Sequence, residues 1–216
     1  RQSRIYLSPW RYTSCFIRRA NKRRMIHLAE LIERGSIITI CEFLDVYDEL
    51  NARKEDYDYL KVYQPDNVPY GNRQQAYPCY ETLTLAQIDP EMDAAIRNQV
   101  QALFSQKIIE WRCRIRYSLS SEVKECQAFK NTNYGFIHTD DKDFAGVLPF
   151  EQSLTGGTSF FSYHWDKVPD VTHGAWPNRM IVYNGKRWHA ACQDYSFEKR
   201  SVLAIFFSLE GDLKFA

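Results

Sequence analysis

Histidine is scarce in this chain, five in 216 residues, and one of them stands two positions before an aspartate in "GFIHTDDKDF" (135–144). Successive side chains of a strand point to opposite faces, so His138 and Asp140 share a face if this stretch is extended. The same parity turns Asp141 and Asp143 away as solvated neighbours. An imidazole and a carboxylate side by side can grip a divalent ion from one side, and a third donor must come from elsewhere. The remaining histidines are His27, His164, His173 and His189. His27 belongs to a basic helical segment, while His164 and His173 flank "HWDKVPDVTHGAWP", which reads as an inserted loop. His189 alone falls within a regular, well-bounded strand, "KRWHAA". Two imidazoles and one carboxylate on rigid strands make the three-donor face that leaves positions open on Fe(II).

Eleven residues beyond His189, "KRSVLAIFF" sets Arg200, Val202, Ala204 and Phe206 on one strand face, a lone guanidinium heading an apolar stripe. Burying arginine is costly without an anion, and its planar fork matches a carboxylate. The expected partner of Arg200 is therefore an anion, with a carboxylate the best match to its fork.

With these residues the sequence resembles the Fe(II)- and 2-oxoglutarate-dependent dioxygenases, in particular their prolyl-4-hydroxylase-like branch. The likeness runs through "HTD" (138–140), "GVLPF", "GGTSFF", "RMIVYNGKRWHAA" and "RSVLAIFF", and more weakly through "ITICEFLDVYDEL". It implies a double-stranded β-helix, a jelly-roll or cupin-like core, in which His138, Asp140 and His189 hold Fe(II). Arg200 would bind the distal carboxylate of 2-oxoglutarate. The prolyl branch often uses lysine there and Lys199 is adjacent, but Arg200 aligns "SVLAIFF" without a gap. A second contact to the co-substrate falls to Tyr134 or Asn131, the tyrosine usual upstream being absent. The implied activity is hydroxylation of an unidentified primary substrate, a peptide side chain or small molecule, with O2, coupled to oxidative decarboxylation of 2-oxoglutarate to succinate and CO2.

The elements that must position these residues divide near residue 110. Before it, "IHLAELIERG" (26–35) has helical spacing, "SIITICEF" (36–43) is a β-branched run, and "LDVYDELNARKED" suits a helix. Asp89 as cap, Pro90 at the first helical position and the apolar row Met92, Ile96, Val100 and Leu103 predict a helix over "PEMDAAIRNQVQALF". From 111 onward short strands alternate with turns. "TGGT" (155–158) reads as one turn, and Asn184-Gly185 as a tight hairpin turn with positive φ at both residues, placing His189 on a return strand. The expectation is a single mainly β domain, with 1–110 as basic arm and helical or strand support and 111–216 as the catalytic core.

A chain with 44% hydrophobic residues can bury a sizeable core. No window approaches the roughly 18 apolar residues of a membrane helix, and the N-terminal stretch lacks the apolar region of a secretory signal, so the expected protein is soluble and cytoplasmic. Six scattered cysteines without a CxxC pair point to reduced thiols. The net charge of +1 hides eight Arg or Lys and no acid in residues 1–24, which leaves 1 − 8 = −7 for the rest. "RRANKRR" (18–24) is open to reading as a nucleic-acid or acidic-partner arm and as a solvated helix face. "SFFSYHW" and tryptophans 165, 176 and 188 read as core and rim packing. Rival functions are a non-catalytic metal-binding barrel and a nucleic-acid-associated protein led by the basic arm. Neither the primary substrate nor the oligomeric state has a readable code, since selectivity sits in loops such as 164–177 and 63–80.

Overall fold

The computed structural model describes residues 14–17, 28–64, 77–125, 134–166 and 168–211. In chain order the elements are β1 (Ser14–Ile17), α1 (Leu28–Glu33), β2 (Ile37–Cys41), α2 (Tyr47–Arg53), β3 (Leu60–Gln64), β4 (Tyr77–Glu81), α3 (Leu85–Ile88), α4 (Pro90–Gln101), β5 (Ile108–Leu119), α5 (Ser120–Glu125), β6 (Phe144–Pro149), β7 (Ser153–Phe160), β8 (Val171–Ala175), β9 (Arg179–Asn184), β10 (His189–Cys192) and β11 (Lys199–Leu209). The helix α4 begins as its sequence dictates: Asp89 accepts a hydrogen bond from Met92 N at 3.2 Å, and Pro90 needs no donor at that position.

Strand alternation decides the layering. On β11, Leu203, Ile205 and Phe207 face one way and pack with Cys113 and Ile115 of β5, Met180 and Val182 of β9, and the apolar rows of α1 and α4. The alternate residues Ala204 and Phe206 join Ala145, Ile181, Tyr183 and Phe160 of β7 in a second cluster. Helices therefore cover one face of a large sheet, and a small sheet covers the other. Among the described residues the large sheet has eight strands in the order β1-β2-β9-β6-β11-β5-β4-β3, and the small one has three, β10-β7-β8. All pairings are antiparallel except β1 with β2. Strands from before residue 110 extend both edges of the large sheet. The architecture is a mainly β double-stranded β-helix with flanking helices, as the sequence predicts. Among the described residues no helix is long and apolar enough to cross a membrane.

Three local expectations fail, each for a tertiary reason. "TGGT" is no turn: β7 runs straight through it, with a register shift between Ser153 and Gly157. Gly157 has φ +147°, and a Cβ there would collide with the His173 carbonyl of β8, so glycine serves close strand approach. Nor does Asn184-Gly185 close a hairpin with positive φ, because β9 pairs within the large sheet and β10 within the small one. This turn crosses between sheets, and glycine is needed because a Cβ on Gly185 would strike Lys142 O. Finally, the stretch read as an insertion contains β8, which carries His173.

Candidate metal centre

The stretch carrying His138 and Asp140 is extended but is not a ladder strand; it bridges β10 only at Tyr134↔Cys192 and His138↔His189. The second bridge is closed by two backbone hydrogen bonds, His138 N to His189 O and His189 N to His138 O, both 2.9 Å. Asp140 sits beyond it, before the bends at 141–143, and is fixed from the crossing at residues 184–186. Its N–H donates to Gly185 O at 2.7 Å, Gly185 N donates to Asp143 O at 2.8 Å, and Lys186 Nζ reaches Asp140 O and Asp141 O at 3.2 and 2.7 Å.

These clamps bring His138, Asp140 and His189 together, with one donor atom of each within 4.8 Å of the others. His189 Nε2 lies 3.3 Å from Asp140 Oδ2 and His138 Nε2 lies 3.9 Å from Oδ1. Each imidazole gives its other nitrogen to a backbone carbonyl: His138 Nδ1 to Phe136 O at 3.0 Å and His189 Nδ1 to Arg187 O at 2.8 Å. That fixes the Nδ1–H tautomer and turns both Nε2 lone pairs toward the carboxylate. Asp140 Oδ2 is buried and has no hydrogen-bond partner among the described residues, with His189 Nε2 3.3 Å away. Two directed lone pairs and an orphaned buried oxygen fit a hard-to-borderline divalent cation.

The electrostatics agree. Burial, then the charge of His189, pushes His138 down to about 4. Burial works to lower His189 as well, yet the facing Asp140 raises it overall; Asp140 in turn lies below its usual range because His189 outweighs its own burial. Arg187 ties this corner to the N-terminal half: its guanidinium lies 5.2 Å over the Phe160 ring and donates to Gly35 O, between α1 and β2.

The three residues open onto a cavity of about 400 Å³ between the sheets. Arg200 lines it with Val202, Ala204 and Phe206, the predicted stripe. Its Nη2 donates to Gly157 O at 2.9 Å, while its buried Nε has no partner among the described residues. Lys199 points the other way and pairs with both carboxylate oxygens of Glu55, at 3.0 and 2.7 Å. Tyr134 stands outside the lining; its hydroxyl donates to Asp166 O at 3.4 Å and its ring meets Phe161 edge-on. Asn131, His27 and the basic stretch 18–24 lie outside the described residues. Asp141 is exposed on Arg112 at 2.7 Å, Asp143 is exposed, and neither His164 nor His173 joins the cluster. Sequence reasoning missed Thr158 of β7, Tyr183 of β9, and Ser118, Arg116 and Arg112 of β5, all on the cavity wall. Alternation against buried Cys113 and Ile115 could have flagged the β5 row.

Two facing sheets make a jelly-roll fold, and solved structures described as 2-oxoglutarate-Fe(II) oxygenases share that fold with this chain. An oxidoreductase of the 2OG-Fe(II) oxygenase family from Burkholderia pseudomallei superposes with TM-score 0.56 at 14% identity, over 91% of this chain and 95% of that one. A prolyl hydroxylase from Trichoplax adhaerens, in complex with a hypoxia inducible factor peptide fragment, gives TM-score 0.58 at 9% identity over 86% and 89%. The non-heme alpha-ketoglutarate-dependent epimerase SnoN from nogalamycin biosynthesis gives 0.58 at 12% identity over 87% and 83%. At such identities the likeness is one of fold. No protein-family model and no curated protein matches the sequence.

Proposed function

We propose that this chain is a non-haem Fe(II)- and 2-oxoglutarate-dependent oxygenase, acting as a hydroxylase. The observation that carries the reading is the joint presence, on one cavity, of the His138-Asp140-His189 donor set and the half-buried Arg200, whose buried Nε has no hydrogen-bond partner among the described residues. A non-catalytic metal barrel has use for the first and none for the second. His138 Nε2, Asp140 and His189 Nε2 would hold the iron. Bound iron and co-substrate would supply the oxidising power, one atom of O2 entering the hydroxylated product and the other succinate, with CO2 released from 2-oxoglutarate.

This chain's residues bind, orient and exclude water. Arg200 pairs with the distal carboxylate, near the hydroxyls of Ser118, Thr158 and Tyr183, which share the cavity wall. Val147, Ala191, Val202 and Ala204 supply the dry lining that strengthens such a pair. The Nδ1 bonds to Phe136 O and Arg187 O orient both imidazoles so that Nε2 is the donor atom turned toward the site. The solved SnoN complex with Fe3+ and alpha-ketoglutarate shows that the fold accommodates both partners in that neighbour.

Titrating 2-oxoglutarate into the anaerobic Fe(II) protein and following the visible absorption of the chelate tests the assignment, with succinate release as the second readout. Losing a charge-assisted pair in a poorly solvated pocket costs about 1.5–3 kcal/mol, so Arg200→Ala should weaken binding about ten- to a hundredfold. Arg200→Lys should recover part, and Lys199→Ala should change nothing, since its Nζ serves Glu55. Unchanged affinity in Arg200→Ala, with no succinate from the wild type, would return the chain to the metal-barrel reading.

A further inference from the structure

The cavity has a second cationic end. On β5, Arg112, Arg114, Arg116 and Ser118 share the face opposite buried Cys113 and Ile115. Register with β11 sets Ser118 beside Arg200, Arg116 beside Val202 and Arg112 beside Phe206. At about 3.4 Å per residue, the backbone at Arg112 is roughly 20 Å along the strand from the position opposite Arg200. Both Arg112 and Arg116 line the cavity with His138 and Asp140. Their guanidiniums lie over the Phe206 ring, 4.7 and 5.2 Å from its centroid.

Existing bonds steady these groups from the side. Glu81 takes Arg114 and, at 3.0 Å, Arg116 Nε, so one carboxylate steadies two guanidiniums from the β4 side. Arg112 Nη2 donates to Asp141 Oδ1 at 2.7 Å, where Asp141 is 57% exposed, and Arg112 Nε is buried with no hydrogen-bond partner among the described residues. A buried guanidinium edge without an acceptor is costly, and a carboxylate or phosphate is the group that its fork fits. Asp141 is a tethered acid resting on that fork, next in sequence to Asp140.

We propose that the primary substrate carries an oxyanion, carboxylate or phosphate, which Arg112 and Arg116 hold at the mouth of the cavity, displacing Asp141 from Arg112, while its reacting carbon lies by the His-Asp-His cluster. This rests on the oxygenase reading, in which Arg200 serves the co-substrate and the mouth serves the substrate. A volume of about 400 Å³, at the lower end of small-ligand sites, leaves room for only a short reacting group beside 2-oxoglutarate. Phe206, whose ring both guanidiniums overlie, adds an apolar surface to the same cavity wall.

The test uses Co(II)-loaded protein saturated with 2-oxoglutarate and titrates inorganic phosphate in one arm and acetate in the other, by calorimetry at low ionic strength. Arg112→Gln and Arg116→Gln should each weaken the preferred anion about ten- to a hundredfold, and Arg116→Lys should regain part. Asp141→Asn should tighten it several-fold by removing the competing acid, which a merely structural Arg112–Asp141 pair would not do. Arg200→Gln, measured without 2-oxoglutarate, should retain the anion. Because Arg116 also holds Glu81, Arg112→Gln and Asp141→Asn keep the test readable if Arg116→Gln loses its fold. Phosphate winning over acetate assigns a phosphorylated substrate, and the reverse a carboxylate. Equal anion binding in wild type, Arg112→Gln and Asp141→Asn overturns the proposal, as does loss in Arg200→Gln alone. Anion binding that follows Arg112 in a protein that takes up no 2-oxoglutarate supports the anion site and sinks the oxygenase reading instead.

Discussion

Two stretches of backbone meet at the cavity, and they are built in opposite ways. β11 is laddered on both sides, to β6 from Val202 to Phe207 and to β5 along its whole length with one register shift near its end. The 134–143 stretch touches a strand at two bridges, and its backbone beyond His138 is held by single hydrogen bonds with Gly185 and Lys186, with side-chain pairs from Asp141 to Arg112 and Lys142 to Glu110 at its end. A laddered strand shares its load over many pairs, so a side chain on it can change without moving its neighbours. A clamped turn concentrates its geometry in a few contacts, so small steric changes there should reach the metal donors directly.

The largest effect expected is on the donors themselves. His138→Ala, Asp140→Ala or His189→Ala should weaken Fe(II) or Co(II) binding beyond the roughly 10- to 100-fold that an outer-shell loss costs, with succinate release abolished. Metal content after dialysis measures this, and full retention by His189→Ala would remove it from the donor set.

On the laddered side, Ile205→Ala should do the reverse. Ile205 is fully buried against the helices, so truncation should cost about 2–5 kcal/mol in denaturant unfolding while the folded protein keeps its metal affinity. A large loss of metal affinity in this variant would show that the two stretches are not independent.

Gly185→Ala probes the clamp. Its methyl would strike Lys142 O and crowd Asp140 Cβ, so the turn must shift. An overpacking cost of about 1–3 kcal/mol is expected in stability, and the displaced Asp140 should lower metal affinity about tenfold, read by Co(II) titration. Unchanged affinity would mean that the turn is softer than its hydrogen bonds suggest.

The smallest effect concerns pH. Burial, then Arg179 and Arg187, pushes His173 down to about 4 from an ordinary 6.5. Below pH 6.5 the unfolded chain takes up a proton that the folded one refuses, so stability falls as pH drops toward 4, where the loss is complete. Allowing for partial exposure, this is about 1–2 kcal/mol. Wild type minus His173→Gln, both metal-free, should show that slope; parallel curves would assign the acid sensitivity elsewhere.

The same contrast separates what was legible in the sequence from what was not. α4 announces itself through Asp89, Pro90 and the row Met92, Ile96, Val100, and β11 through a period of two, because local periodicity specifies which face is buried. "TGGT" and Asn184-Gly185 were misread because a short glycine motif does not say which backbone will approach it; the answers, His173 O and Lys142 O, lie in other strands. His138, Asp140, His189 and Arg200 could be picked out by residue type and spacing, and the structure brings all four to one cavity. Thr158, Tyr183 and the β5 arginines escaped because facing the cavity depends on inter-strand register, which is set by long-range pairing.

Arg187 has a thermodynamic consequence. Its carbonyl receives His189 Nδ1 and its guanidinium donates to Gly35 O, so one residue spans the metal-facing imidazole and the turn between α1 and β2. If cation binding stiffens the imidazole, it restricts Arg187 and, through it, Gly35; amide hydrogen exchange at Ser36 and Ile37 should then slow on loading. Linkage makes the coupling reciprocal: any ligand that tightens the α1–β2 turn raises cation affinity by the same factor by which the cation raises its own.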